Sequence, residues 1–299
     1  MNNKIIFSNF FKHANIFSLL VVLVSILFLF FKGLNYGVDF KGGTLLEIRI
    51  DNKNIQTQDL RSSLNLPELG DVNVKKFGKE GDFLIKFEKN ANENEKFMTD
   101  LKNIISNKIS SEVNFRRVES VGPKVSSELL KQGLTAIALA LGAMLFYIWI
   151  RFEWQFSLGA IIALMHDVII TLGIFSILSL EVNLSIVAAV LTIVGYSMND
   201  TVVIFDRIRE NLLKYSKIKT NEIADISVNE TLSRTIITSL TTLLALFSIY
   251  ILGGEILKGF SFAMILGVLI GTYSSIFVAT PVLNYFKVSQ KTLLKEEEI

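Results

Sequence analysis

Two aspartates stand inside runs that are otherwise apolar. Asp200 lies in VGYSMNDTVVIF (194–205), preceded by Tyr196, Ser197 and Asn199, and Asp167 lies in LMHDVIIT (164–171) beside His166. A charged side chain at the centre of a membrane helix costs roughly 2.5–3.5 kcal/mol on insertion scales, so such groups face protein or water and usually serve a function. A carboxyl group withdrawn from water favours its neutral form and can still exchange a proton, which is the chemistry of a relay. Asp200 and Asp167 are therefore candidate proton-coupling residues. Arg234, at the head of a later apolar run, is the candidate charge partner. Each has a plainer reading. Asp200 fits a fixed hydrogen bond or an ion pair with Arg234, His166 and nearby hydroxyls suffice to satisfy Asp167, and Arg234 fits a simple anchor at a helix entrance.

Other chemistry has little to work with. The chain has no Cys, which excludes disulfides, thiolate metal sites and Cys nucleophiles. His13 and His166 are too few for a zinc cluster, so no metal or other cofactor is expected. VDFKGGT (38–44) pairs two glycines but lacks the spacing and the Lys-Ser/Thr ending of a nucleotide loop. No Ser nucleophile with an attendant base is apparent, so the chain does not read as an enzyme, and neither nucleotide nor nucleic acid is an expected partner. A proton gradient, at roughly 2.3 kcal/mol per charge per 100 mV, is the available energy source.

The elements that hold these groups follow from composition. Of 299 residues 51% are hydrophobic, net charge is +2 and mean hydropathy is +0.47, which is the profile of a chain embedded in lipid. A spanning helix needs roughly 20 mostly apolar residues. Six runs qualify, at 14–31, 133–150, 156–180, 184–205, 235–252 and 260–286. The expected layout is an N-terminus with the first span (1–31), a polar domain (32–132), a five-span bundle (133–286) containing a loop at 206–234, and a tail (287–299). The first span reads as an uncleaved anchor, since no small-residue cleavage pattern follows it.

Orientation comes from Lys and Arg in the short segments. With the N-terminus inside, the inner segments hold Lys4, Lys12, Arg151, Arg207, Arg209, Lys214, Lys217, Lys219, Arg234, Lys287, Lys291 and Lys295, 12 in all, against Lys258 alone in the short outer loops. Both termini and the 206–234 loop are thus expected in the cytoplasm and 32–132 outside. DRIREN (206–211) reads as a snorkelling segment.

Periodicity orients the acids. Gly159, Ala163, Asp167 and Thr171 recur at i+4, as do Ala188 or Ala189, Thr192, Tyr196 and Asp200, which puts both carboxylates on small or polar faces turned into the bundle. Asn199, Tyr196, Thr235, Thr238 and Thr242 are the expected polar lining. The hydroxyl face begun by Thr231 is open to two readings, backbone-bonded packing or a proton wire. Gly259, Ala263, Gly267, Gly271 and Ser275 form a flat i+4 ridge for close helix packing.

The polar domain alternates in a definite order. Strands are expected at 44–50, 72–77, 82–88 and 113–121, with a hairpin around Gly78 and Gly81. Helices are expected at 57–65, with Thr57 as cap, and at 94–109, with Phe97, Leu101, Ile104 and Ile105 on one face. The order βαββαβ is that of the split ferredoxin-like unit. The fold class is an α-helical membrane protein with six spans plus a small α+β ferredoxin-like domain outside.

Five stretches in chain order resemble the SecF family of the bacterial SecD–SecF protein-export complex. They are YGVDFKGGT (36–44), VESVGPKVSSEL (118–129), RFEWQFSLGAIIALMHDVIITLGIFSI (151–177), VGYSMNDTVVIFDRIREN (194–211) and TLSRTIITSLTTLLA (231–245). The resemblance implies an inner-membrane subunit that forms half of a bundle of the resistance–nodulation–division type, pairs with SecD, associates with the SecYEG channel and uses proton flow to assist preproteins after an ATP-driven step. It matches Asp200 to the family's membrane aspartate and Arg234 to its functional arginine, and Asp167 fits the pattern too. Hinges for the outer domain are expected at Asp39, Gly42, Gly43, Gly122 and Pro123. The ridge of the sixth span and the small face of the fourth are candidate SecD-facing surfaces. Two other readings stay open, a scaffold that stabilises SecD or the channel without transport, and a small-molecule efflux subunit. One outer domain of about 90 residues is too small for a drug-sized pocket, which argues against efflux.

Overall fold

The computed structural model describes residues 5–50, 55–64, 69–76, 80–88, 95–109, 113–215 and 218–294. Lys4, Asn65, Phe77, Gly78, Lys217 and Lys295 lie outside the described residues, as do the side chains of Phe97 and Lys291. In chain order the first elements are α1 (Phe11–Phe31), β1 (Asn35–Tyr36), α2 (Val38–Lys41), β2 (Gly43–Ile50), α3 (Thr57–Ser63), β3 (Val72–Lys76) and β4 (Asp82–Phe87). Next come α4 (Glu95–Ile109), β5 (Val113–Val121), α5 (Pro123–Arg151), α6 (Trp154–Ile177), β6 (Glu181–Val182) and α7 (Leu184–Lys214). The last are α8 (Thr220–Leu252), α9 (Glu255–Ser274), α10 (Thr280–Tyr285) and α11 (Gln290–Leu294). The chain divides into two compact units, residues 1–35, 136–180 and 185–299 in one, and 36–135 with 181–184 in the other.

In the first unit six helices are long and apolar enough to cross a membrane. Half or more of the apolar window is buried in α6, α7 and the α9–α10 span, against 17% or less in α1, α5 and α8, so three helices form the centre and three surround it. Small residues permit the close contacts. Gly173 on α6 lies against Ser25 of α1, where an added Cβ would come within 2.3 Å of the serine Cβ. Ser176 then donates to the carbonyls of Phe28 at 3.0 Å and Gly33 at 2.7 Å, tying off the exposed end of α1. At the other end Phe152 stacks on Phe156 at 5.9 Å, and Phe205 meets both edge-on, at 6.1 and 5.2 Å.

The ridge of the sixth span is occupied within the chain. A Cβ on Gly267 would lie 2.2 Å from Ile193 Cγ1, and one on Gly271 would lie 3.0 Å from Ser197 Cβ. Gly259 faces Ile186 and Ala263 is fully buried. The ridge therefore packs on Ile186, Ile193 and Ser197 of the fourth span, which corrects the expectation that the ridge turns outward to SecD, whereas Ala188 and Thr192 on the small face of the fourth span are exposed. Periodicity reveals a flat face but not its occupant.

Two further corrections concern helix length. α7 runs on to Lys214 and α8 begins at Thr220, so most of 206–234 is helix rather than loop. The sixth span is interrupted by a π turn at Ser275–Ala279. Pro281 explains it, because its ring offers no N–H to the carbonyl four residues back and crowds that carbonyl, and a widened turn relieves both. Thr280 Oγ1 donates to Ser275 O at 2.8 Å across the wide turn.

The second unit is a four-stranded antiparallel sheet in the order β3-β4-β2-β5, the arrangement that two split βαβ units produce. Leu46, Ile48 and Ile50 of β2 and Phe83, Ile85 and Phe87 of β4 are buried in a core with Leu60 and Leu64 from the α3 segment and Leu101 and Ile105 from α4. Arg49 of β2 grips Asp82 of β4 at 2.5 Å across the ladder. Gln56, not Thr57, caps α3, with its N–H donating to Asp59 Oδ2 at 2.9 Å. Gly42 and Gly43 have φ of +81° and +107°, and a Cβ on Gly43 would sit 2.5 Å from Phe87 O, so this corner requires glycine. Asp39 accepts the Leu184 N–H at 2.9 Å within this unit.

Candidate functional site

Asp167 and Asp200 are both buried in the helical unit as expected, 0% and 3% exposed; the i+4 face around Asp167 is buried with it, whereas on α7 Thr192 is exposed and Tyr196 half-buried. Their partners differ. Asp167 Oδ1 lies 2.8 Å from His166 Nδ1, and Asp167 Oδ2 accepts from Ser197 Oγ at 2.5 Å and Ser274 Oγ at 2.8 Å. Those donors come from α6, α7 and α9, so one carboxylate gathers all three central helices. Hydrogen bonds to a charged group contribute about 1.5–3 kcal/mol each, and leaving such a donor unmet in a buried site costs a similar amount. Thr171 donates to Asp167 O at 2.8 Å and takes no part in the cluster.

Among the described residues Asp200 meets a single donor at the limit of hydrogen-bond reach, Thr272 Oγ1 at 3.5 Å. Behind Thr272 stand Ser239 of α8 at 2.8 Å and then Tyr196 of α7, whose hydroxyl donates to Ser239 at 3.4 Å. If Thr272 gives its proton to Asp200, Ser239 donates to Thr272, and all three hydroxyls point toward the carboxylate. Arg234 lies on α8, exposed, and among the described residues it makes no ion pair within 4 Å. Asp200 and Arg234 are thus near enough to interact through space but are not in contact.

The expected polar lining splits. Thr235 is buried, Tyr196 joins the hydroxyl chain, and Thr238 and Thr242 are half-buried. Thr238 and Thr242 spend their hydroxyls on backbone carbonyls one turn earlier, at 3.0 and 2.8 Å, as does Thr231 at 2.9 Å, so that face is backbone-bonded rather than a wire. Asn199 is exposed on this chain's surface, outside the bundle interior where it was expected. Residues the spacing did not single out, namely Ser239, Thr272 and Ser274, make the contacts between helices. A lone Ser or Thr in a span carries no periodic signal of its own, because it usually bonds its own backbone.

DRIREN is more than a snorkelling segment. Arg151 pairs with Asp206 at 2.7 Å, Arg207 with Glu230 at 2.7 Å and Arg209 with the buried Glu153 at 3.1 Å. Asn211, fully buried, donates to Ser227 Oγ at 2.9 Å. These contacts fasten the extended ends of α7 and α8 to each other and to α5 and the start of α6.

A bundle of six long apolar helices with acids at its centre, joined in one chain to a βαββαβ unit, defines a multi-pass membrane protein of the transport class. The family model described as protein export membrane protein SecD/SecF, C-terminal, matches residues 101–289, and the SecD/SecF GG motif matches 27–53, which contains Gly42 and Gly43. The protein translocase subunit SecF of Rickettsia bellii is 45% identical over 284 residues, covering 94% of this chain and 92% of that one. Its counterpart in Rickettsia rickettsii is 44% identical over the same length. Among solved structures, the crystal structure of SecDF, a translocon-associated membrane protein from Thermus thermophilus, superposes with a TM-score of 0.87 at 33% identity. That match covers 96% of this chain and 39% of the SecDF chain. SecDF in its super-membrane-facing form gives a TM-score of 0.71 at 32% identity. The chain belongs to the SecF family of protein translocase subunits.

Proposed function

We propose that this chain pairs with a SecD subunit and uses the proton motive force to assist preprotein translocation through SecYEG, after the ATP-driven step. It would lie in the inner membrane with both termini cytoplasmic and residues 32–132 on the outer side, an orientation supported by the 12-to-1 excess of Lys and Arg in the inner short segments. Asp200 is the proton carrier of this reading, Arg234 its charge partner and Asp167 a second acidic position in the same bundle. The observation that carries it is the unfinished coordination of Asp200, a buried carboxylate that among the described residues has one distant donor, with an arginine on the next helix that makes no ion pair among them. A group so placed can change its pairing when a proton arrives, whereas a fully bonded one cannot without breaking contacts. The corner at Gly42 and Gly43, Asp39, and the Gly122-Pro123 entrance to α5 are the proposed hinges through which the outer unit responds.

The test is export into inside-out vesicles holding the SecD complex and energised by a proton gradient. Asp200→Asn is expected to abolish the gradient-dependent part of export while the complex still assembles. Undiminished gradient-dependent export would refute the proposal and leave a non-transporting scaffold.

A further inference from the structure

His166 lies beside Asp167 with 5% of its side chain exposed. Its Nδ1 is 2.8 Å from Asp167 Oδ1, yet its Nε2 is buried without a hydrogen-bond partner among the described residues. The ring stacks on Tyr273 of α9, centroids 6.2 Å apart and planes inclined by 24°. The Tyr273 hydroxyl is already committed to Ala14 O at 2.9 Å and to Ser18 Oγ at 3.0 Å on α1. The groups facing the pair are thus Ser197 from α7 and Tyr273 and Ser274 from α9, with Ser18 of α1 behind the Tyr273 hydroxyl. Only Asp167, His166 and Tyr273 can titrate, and no Lys or Arg within ion-pair distance neutralises Asp167 among the described residues.

An ionised Asp167 beside a neutral imidazole leaves one uncompensated negative charge among packed helices, which is costly in a membrane interior. One added proton removes it. With Nδ1–H given to Asp167, the lone pair left to receive that proton is on Nε2. Protonation there makes an imidazolium–carboxylate pair that is neutral as a unit and keeps the two serine hydrogen bonds. We propose that His166 and Asp167 together form a second proton-binding site in the bundle, separate from Asp200, which takes up one proton at His166 Nε2. The proton-coupled export reading supplies only what the bound proton is for; the binding itself is measured directly.

The chain has two histidines, so His13→Gln leaves His166 as the only imidazole. The full chain with that change, labelled with 15N-histidine and held in lipid nanodiscs, is titrated by NMR from about pH 5 to about pH 9. Nε2 is expected to gain one proton in a single step, and Asp167→Asn to move the midpoint of that step measurably. Should Asp167→Asn fail to fold, Ser274→Ala, which removes one donor to the same carboxylate, is expected to move the midpoint by a smaller but measurable amount. An Nε2 that stays bare throughout, or a midpoint indifferent to the carboxylate's surroundings, overturns the proposal. Neither result bears on Asp200, whose role is read separately from gradient-dependent export.

Discussion

Asp167 and Asp200 sit on neighbouring helices of one bundle, and both are almost wholly shut off from solvent. Asp167 is held at both oxygens by a histidine and two serines drawn from three helices. Asp200 has one long contact to Thr272 and a line of hydroxyls behind it. Equal burial therefore accompanies opposite degrees of satisfaction. The first arrangement resists any movement that would part α6, α7 and α9. The second leaves room for a carboxylate to change partners. The number of donors, rather than depth in the membrane, separates the acid that fastens the bundle from the acid free to respond.

The sharpest way to break this contrast is to remove each carboxylate in turn. Asp167→Leu strands His166, Ser197 and Ser274 in the interior and is expected to cost about 3–5 kcal/mol, seen as a large fall in thermal stability of the purified complex. If Asp200→Leu lowers stability equally, the two sites are not different in kind. Next in size is Gly267→Ala, whose new Cβ collides with Ile193; overpacking of this sort costs about 1–3 kcal/mol. Gly195→Ala on α7, with nothing within 4 Å, is its control and should be nearly neutral beyond helix propensity. Asp200→Asn is expected to abolish gradient-dependent export with little change in unfolding temperature. The smallest effect belongs to Thr272→Val, which severs the hydroxyl line from Asp200 and should cost about 1 kcal/mol or less. Its signature is slower gradient-driven export with stability preserved, and no change in either would remove the hydroxyl line from the mechanism.

The six spans were legible because lipid demands about 20 apolar residues in succession, a signal too long to arise from a soluble helix face. The βαββαβ order was legible because alternation in TLLEIRI and VNFRRVESV differs from the helical spacing of Leu101, Ile104 and Ile105. Asp200 and Asp167 were placed inward by small residues at i+4, and the structure agrees. The helical ends beyond the membrane were missed because the 206–234 segment lacks a long apolar run. Its freedom from Gly and Pro was the available clue. Ser197, Thr272 and Ser274 were not legible as partners, since which serine meets which acid depends on how three helices dock. Asn199 shows the converse error, for adjacency to Asp200 along a helix turns a side chain by about 100° and here carries it to the outer surface.

The wide turn before Pro281 has a consequence for the residues above it. A π turn is a single inserted residue absorbed without breaking the helix, and such an insertion can travel along its axis as a wrinkle travels along a carpet. Were it to pass toward the opposite end of the span, Thr272, Tyr273 and Ser274 would swivel by about 100° while both ends of the helix stayed in place. Thr272 and Ser274, which now attend two different acids, and Tyr273, which lies on His166, would then exchange clients at one stroke.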